Sequence, residues 1–200
     1  MEWRIAIVPV GRMDPVDIEA AATRIAKIVG GAVTLKQPAT VPKAGDDPAR
    51  GQHLAGPFLA DLKGQLPRLA ALKQVTAHGS EPSPPSAGAA DVTLFVTDVD
   101  LYKPQTDGVF GDIDAAGRVA VLSVRRLREA FYKRKPDPAK ARARLVKMAL
   151  YAVARARGVP ECNDRACALS GVGHVSDLDM KPEKYCASCW RRITTGAFRI

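Results

Sequence analysis

The first part of the chain alternates between apolar, β-branched runs and apolar positions at helical spacing. Residues 3–10 form an apolar run that predicts a buried strand. Asp14 and Pro15 suit the N-cap and the first position of a helix, and helical spacing continues up to Gly30. Residues 32–35 are a second apolar run. A strand, a helix and a strand of these lengths predict a parallel βαβ unit with a right-handed crossover.

The pattern is less regular in the middle of the chain. Residues 36–51 are rich in Pro, Gly and Asp and predict an irregular connection, whereas residues 53–63 place Leu and Phe on one side of a short helix. Residues 66–75 fit either a continued helix or a strand. Residues 79–90, GSEPSPPSAGAA, have the composition of a flexible loop, which is too short to separate two large domains.

Regular structure returns in the second half. Residues 91–98, DVTLFVTD, predict a strand because their centre is apolar and β-branched. Residues 109–124 hold two apolar runs around a turn that ends at Gly117, which is the pattern of a β-hairpin. Residues 127–132 predict a helical turn. The longest predicted helix covers residues 139–157, and its wide apolar face indicates a central position. Together these elements predict an α/β fold.

Composition favours one compact protein without a membrane span. At 200 residues and 46% hydrophobic, the chain is able to bury one sizeable core. No apolar run approaches the ~20 residues that cross a bilayer. The first residues, MEWRIAIVPVG, lack the basic start and the cleavage site of a signal peptide. We therefore expect a cytoplasmic protein with no membrane association.

The net charge of +9 is concentrated in residues 125–157, where twelve Lys and Arg residues face only Glu129 and Asp137. A basic segment of this kind is able to attract nucleic acid or an acidic partner. The simpler interpretation is a solvated helix face, which is the usual role of a run of charges. The aromatic residues available for base stacking are Phe131, Tyr132 and Tyr151. Because they are few, nucleic acid is an unfavoured but open partner.

All four cysteines fall into two close pairs, Cys162 with Cys167 and Cys186 with Cys189. Two close pairs of thiolates are what a tetrahedral structural zinc site requires. In a protein without an export signal, clustered cysteines indicate metal rather than disulfides, although four buried thiols or two disulfides remain the alternatives. Because Cys fills every ligand position, we expect one structural Zn²⁺ with no open position for a substrate.

Several segments carry a resemblance to a known family. They are IAIVPVG, DPARGQ, VTLFVTDVDLY, VFG, GRVAVLSVRRLR and, most specifically, residues 151–189. Together they resemble the archaemetzincins, zinc metallopeptidases of the metzincin clan with an HExxHxxGxxH run, an immediate C-x4-C-x-M and a later CxxC. The resemblance implies one metzincin-like domain over residues 1–200, with a mixed, mostly parallel sheet and a long central helix. Residues 1–158 would form the core and residues 159–200 a C-terminal subdomain tied by the zinc site.

The chain departs from the family pattern when it is aligned on Gly158 and the cysteines. The family has, in order, His, Glu, His, His and the Met of its Met-turn, and this chain has Tyr151, Ala152, Arg155, Glu161 and Leu169. In an HExxH helix the two histidines bind catalytic zinc and the Glu acts as a base on the bound water. Arg155 would place a permanent positive charge at the metal position, and Ala152 offers no base. The resemblance therefore implies a degenerate active-site helix at residues 139–157 and no catalytic residue.

These departures predict a catalytically inactive pseudopeptidase that binds a peptide or protein segment beside an edge strand of the inherited cleft. The alternative is an active zinc peptidase in which Tyr151 and Glu161 act as atypical oxygen ligands. The third hypothesis is a nucleic-acid-binding protein that uses residues 125–157 and whose binding falls steeply with salt. The sequence pattern specifies neither the ligand nor an oligomeric state.

The same substitutions predict what occupies the place of the metal. We expect Tyr151, Arg155 and Glu161 to form a hydrogen-bonded set in which Arg155 pairs with Glu161. The chain's histidines stand at no motif position, and we interpret them as ordinary surface or loop residues. They are His53, His78 and His174.

Overall fold

A computed structural model describes residues 3–77 and 90–195. Its strands are β1 (Arg4–Val10), β2 (Ala32–Lys36), β3 (Asp46–Asp47), β4 (Gln52–Leu54), β5 (Ala71–Thr76), β6 (Val92–Thr97), β7 (Leu101–Tyr102), β8 (Gly111–Asp114) and β9 (Val119–Ser123). Its helices are α1 (Pro15–Val29), α2 (Ala55–Gln65), α3 (Pro138–Ala156), α4 (Val175–Met180) and α5 (Ala187–Thr195). Short 3₁₀ turns lie at Leu66–Arg68, Arg125–Leu127 and Glu129–Tyr132.

The main sheet has six strands in the order β5-β2-β1-β6-β9-β8. The four central strands pair in parallel, and β5 and β8 pair antiparallel at the two edges. The parallel β1–α1–β2 unit and the β8–β9 hairpin are confirmed as predicted. The α/β class and the mixed, mostly parallel sheet are confirmed with them.

Apolar residues on both faces of the sheet build the two halves of the core. On β1, Ile5 and Ile7 pack with α1 and α3, whereas Val8 and Val10 pack with α2 on the opposite face. Every residue of β6 is buried, as expected for a central strand covered on both sides. Helix α3 packs on the core from Arg144 onward, where ten of its residues are buried.

Both predicted helix starts are confirmed by their caps. The Asp14 carboxylate accepts the Val16 N–H at 2.9 Å, and the Asp137 carboxylate accepts the Lys140 N–H at 2.9 Å. A proline follows each cap in the first helical turn, where its missing N–H is not needed. Helix α3 begins one residue before the predicted 139–157 range and ends one residue earlier, and Gly158 then adopts a positive φ of 85°.

Other segments differ from the sequence prediction in detail. The predicted helix at 53–63 is shifted to α2, and the ambiguous segment 66–75 is a 3₁₀ turn followed by β5. The segment predicted as irregular, 36–51, contains β3, which joins β4 and β7 in a second, three-stranded sheet. A two-residue strand is too short to show a period, so no pattern could indicate it. Most of the predicted loop at 79–90 lies outside the described residues.

The C-terminal helices α4 and α5 were not predicted, and they pack onto the core beside α3. Leu178 of α4 and Ile193 of α5 join the same apolar cluster as α3. Between them the buried Tyr185 donates its hydroxyl to the Leu150 carbonyl at 2.7 Å. Among the described helices, none has both the length and the apolar character needed to cross a membrane.

Candidate metal centre and active-site helix

The four cysteine sulfurs converge on one point. All four lie within 4.8 Å of one another, and the Cys162 and Cys186 sulfurs are 3.9 Å apart. A tetrahedral zinc with Zn–S bonds of about 2.3 Å separates its sulfurs by about 3.8 Å. None of the four cysteines is in a disulfide. The donor set therefore fits a closed, four-thiolate zinc site.

Backbone N–H groups surround these sulfurs. Leu169 and Cys186 direct their N–H groups at the Cys167 sulfur at 3.4 and 3.3 Å, and Cys189 directs its N–H at the Cys186 sulfur at 3.5 Å. Such bonds orient metal ligands and offset thiolate charge. Burial raises the pKa of the Cys167 thiol, whereas the Cys189 N–H lowers the pKa of Cys186. Deprotonation of the buried thiol would therefore be coupled to metal binding.

Tyr151 lies on α3 one turn and a half before its end, and its hydroxyl donates a hydrogen bond to the Glu161 carboxylate. Burial, followed by this carboxylate, raises the pKa of Tyr151 to about 12. The phenol is therefore neutral near pH 7 and acts as a donor. This half of the predicted hydrogen-bonded set is confirmed.

The other half of that prediction, the pairing of Arg155 with Glu161, is wrong. The Arg155 guanidinium donates instead to the Val159 carbonyl at 2.8 Å, and no ion pair joins it to Glu161 among the described residues. The reason is local: the positive φ of Gly158 folds the chain back at the end of α3. This turn brings the Val159 carbonyl within reach of Arg155. Carbonyl groups at the end of a helix lack a partner within the helix and commonly accept hydrogen bonds from side chains.

Ala152 and Leu169 are both fully buried in the apolar cluster around α3. The Ala152 side chain has no polar group that could act as a base on a water molecule. Leu169 follows Cys167 by two residues, and its carbonyl accepts the Cys162 N–H at 3.0 Å. Both side chains therefore pack in the apolar core.

Lys181, at the end of α4, was missed by the sequence analysis. It is 3% exposed, and its ammonium donates to the Ser170 carbonyl. The same nitrogen lies 4.8 Å from the centre of the Tyr151 ring. Burial lowers the pKa of Lys181 to about 8, against the opposing charges of Cys167 and Glu161. The surrounding MKPEK is polar, so no sequence pattern indicated a buried lysine.

Arg144, which the sequence analysis also missed, is a buried cation on α3. Its guanidinium makes two hydrogen bonds of 2.7 Å to the Asp179 carboxylate, a third of 2.7 Å to the Leu127 carbonyl, and an ion pair with Glu129. The Asp179 carboxylate belongs to α4, and the Glu129 carboxylate belongs to the 3₁₀ turn before α3. Arg144 therefore ties α4 and the preceding turn to the central helix.

The basic segment 125–157 is not simply a solvated face. Six of its twelve Lys and Arg side chains form ion pairs with carboxylates of other elements or of the segment itself. They are Arg126, Arg128, Arg134, Lys140, Arg142 and Arg144. Half of the positive charge is therefore balanced within the protein and is less available to nucleic acid.

The described histidines take no part in the cysteine cluster. His53, on β4, packs edge-on against Phe58 with ring centres 5.3 Å apart, and its ring lies 3.6 Å from the Asp46 carboxylate. His174 is the N-cap of α4 and forms a capping box with Asp177. His78 lies outside the described residues.

Comparison with known proteins places this geometry in a family. Residues 88–195 match the family model described as Peptidase family M54. The archaemetzincin of Methanocaldococcus jannaschii is 31% identical over 103 residues, which are 52% of this chain and 58% of that protein. The matched segment thus spans little more than half of that relative's length.

Two solved structures share the fold over nearly the whole chain. A zinc-dependent peptidase from Methanocorpusculum labreanum superposes with a TM-score of 0.78 at 22% identity, covering 94% of this chain and 99% of its own. The archaemetzincin of Methanopyrus kandleri superposes with a TM-score of 0.73 at 25% identity, covering 99% and 97%. The chain belongs to peptidase family M54, the zinc metallopeptidase family of the archaemetzincins.

Proposed function

We propose that this chain is a pseudopeptidase, which holds one structural zinc at its four cysteines and binds an extended peptide segment beside β8. The observation that carries the proposal is the bonding around α3. Tyr151 is bonded to Glu161, and Arg155 is fixed on the Val159 carbonyl. The side chains that replace the family's three histidines are thus engaged with protein partners.

This arrangement disfavours a catalytic metal on physical grounds. A zinc ion at this place would have to break the Tyr151–Glu161 hydrogen bond, and the phenol would have to lose a proton that burial retains. The permanent charge of Arg155 would also repel a divalent cation there; for an assumed separation of about 6 Å and an effective dielectric constant of 20, the repulsion is roughly 5 kcal/mol. Ala152 leaves no base for a bound water.

The cysteine cluster supports the structural zinc. When bound, the ion would be held by Cys162, Cys167, Cys186 and Cys189, and a four-thiolate ion supplies cross-linking rather than Lewis-acid chemistry. The two pairs lie on either side of α4 in the sequence, so the ion would join the loop after α3 to the start of α5. We propose residues 159–200 as the subdomain that it stabilises.

The edge strand β8 supports the binding of an extended segment. It ends the sheet, with β9 as its neighbour. The Ser123 N–H donates to the Phe110 carbonyl, and the register then places the backbone groups of Gly111 and Ile113 away from β9. The outward N–H and C=O groups of an edge strand can pair with an added strand. This main-chain pairing needs no metal.

The test compares wild-type protein with variants that restore the family motif. In the full restoration, Tyr151→His, Arg155→His and Glu161→His are combined with Ala152→Glu; the matched control restores the three histidines alone. With added zinc, we expect cleavage of a generic protein substrate such as casein by the full restoration, and none by the wild type or the control.

One result would reverse the proposal: zinc-dependent cleavage by the wild type, abolished by Glu161→Gln, would show an active peptidase with atypical ligands. Strong cleavage by the control would instead reverse the assignment of the missing base to position 152.

A further inference from the structure

Lys181 is a buried cation without an anionic partner among the described residues. It is 3% exposed, and no carboxylate oxygen lies within 4.0 Å of its ammonium in the described part of the chain. Its hydrogen bond to the Ser170 carbonyl uses one of three N–H donors, and the Tyr151 ring faces it from 4.8 Å. Burying a charge in this way is costly unless a counter-charge is supplied.

Arg144 shows how this protein otherwise treats a buried cation. Its guanidinium has two carboxylate partners and a carbonyl partner. The acids near Lys181 in sequence are committed elsewhere. Asp179 pairs with Arg144, Glu183 pairs with Arg24, and Asp177 accepts the N–H groups of Gly173 and His174 at 2.9 and 2.8 Å. Lys181 therefore differs from Arg144 in having no carboxylate in direct contact among the described residues, while the charges of Cys167, Glu161 and Asp177 oppose the cost of its burial from farther away.

The lysine lies on the wall of a cavity of about 620 Å³. Ser170 and Gly171 form another part of this wall, and Asn163 and Arg165 add polar groups. A side chain at Gly171 would approach the Glu161 carboxylate to 3.3 Å, so glycine leaves the space beside Glu161 open. The cavity thus combines space, a buried ammonium and an exposed guanidinium with one carboxylate, that of Asp177, which two backbone N–H groups already bond.

Tyr151 connects Lys181 to the inherited cleft. The Lys181 ammonium lies 4.8 Å from the centre of the Tyr151 ring, and Tyr151 stands where the family has the first zinc-binding histidine of its active-site helix. A segment bound in that cleft is therefore the ligand that we assign to Lys181.

We propose that the Lys181 cavity binds the carboxylate side chain of an acidic residue in the segment that lies along β8. The inference rests on the proposed function and adds the ligand class, an acidic peptide. The competing explanation is that Lys181 balances the charge of a zinc–thiolate centre, since Cys162 also lines the cavity. The two explanations predict different behaviour when the ammonium is removed.

The experiment measures peptide binding to the full, zinc-containing protein by fluorescence anisotropy. The probes are two fluorescein-labelled pools of capped pentapeptides, one with Glu at the centre and one with Gln, and a third pool with a central Gln and a free C-terminal carboxylate. We expect the Glu pool to bind about tenfold more tightly than the Gln pool, the effect of one charged hydrogen bond.

Substitution of the lysine gives the second arm. Lys181→Met is expected to remove the preference for Glu while keeping the zinc content of the wild type. The matched control is Lys184→Met, an exposed lysine of the same segment, which should keep the preference. Zinc content and the thermal transition of each variant are measured alongside.

The outcomes separate the inference from the proposed function. Equal binding of the Glu and Gln pools by wild-type protein overturns the inference and leaves segment binding intact; binding of neither pool removes both. Tighter binding of the free-carboxylate pool overturns the assignment to a side chain. If Lys181→Met loses zinc while the wild type shows no preference for Glu, the lysine is the counter-charge of the metal centre.

Discussion

Arg144 is 1% exposed, yet it comes from the segment with the highest positive charge in the chain. Its bidentate contact with Asp179 and its ion pair with Glu129 turn a basic residue of α3 into a link between three elements. Arginine suits this role because its planar fork matches a carboxylate and it stays charged.

A first prediction concerns this link. Asp179→Asn should lower the free energy of unfolding by about 1–2 kcal/mol at pH 7, because Arg144 remains buried with one anionic partner fewer. Urea denaturation checks this value. Asp107→Asn is the matched control, since the Asp107 side chain is fully exposed, and it should leave the transition unchanged.

A second prediction follows from the pKa of Asp179. Hydrogen bonds from Arg144 hold this pKa below the ordinary value for an aspartate. The pair is therefore fully stabilising above that ordinary value, about pH 4, and its contribution is lost as the pH falls through the lower, folded pKa. The difference in unfolding free energy between wild type and Asp179→Asn should shrink between pH 5 and pH 2; a constant difference would contradict the assignment.

At the residue scale, the sequence indicated the cysteine cluster because two close pairs already specify a ligand set. It indicated the Tyr151–Glu161 contact through the family motif. It gave no sign of Lys181 or Arg144, because their burial depends on where α4 packs. The Arg155–Glu161 pairing failed for a similar reason: the turn at Gly158 supplied a nearer acceptor.

At the scale of elements, α3 and β8 are the two elements to which we assign the proposed binding. Helix α3 was predictable because nineteen residues of amphipathic pattern follow an Asp-Pro start. The hairpin of β8 and β9 was indicated by its turn glycine. Strands β3 and β7, of two residues each, carry no periodic signal and exist only through their pairing with β4.

A third prediction tests the edge of β8. Ile113→Pro removes an outward N–H, which donates to the Asp112 carboxylate at 3.0 Å and which an added strand would recruit instead. Ile113→Ala shortens the same side chain and keeps the N–H. We expect Ile113→Pro to weaken binding of the acidic peptide pool about tenfold relative to Ile113→Ala. Circular dichroism checks that both variants fold. Equal affinities would place the ligand away from β8.

At the scale of the whole molecule, the cysteine cluster joins the loop after α3 to the start of α5. Buried apolar contacts from Leu178, Tyr185 and Ile193 also hold α4 and α5 on the rest of the protein. The two helices of this region are short, at six and nine residues. We infer that a bound zinc supplies much of the cohesion of residues 159–195.

A fourth prediction follows from that cohesion. Cys186→Ser should lower the melting temperature by about 10 °C or more, because a structural zinc contributes several kcal/mol to folding. Hydrogen exchange should accelerate first in α4 and α5 while the central sheet stays protected. Ser188→Ala, an exposed substitution between the second cysteine pair, is the control and should change neither quantity. Unchanged stability in Cys186→Ser would mean that the cluster holds no ion.

The central claim is that one metal site is retained and one is lost. The most direct measurement is the number of zinc ions bound per chain, determined by elemental analysis of protein purified with zinc present, with anomalous diffraction to locate them. The account predicts one zinc, at Cys162, Cys167, Cys186 and Cys189. A second zinc, located at Tyr151 and Glu161, would contradict it.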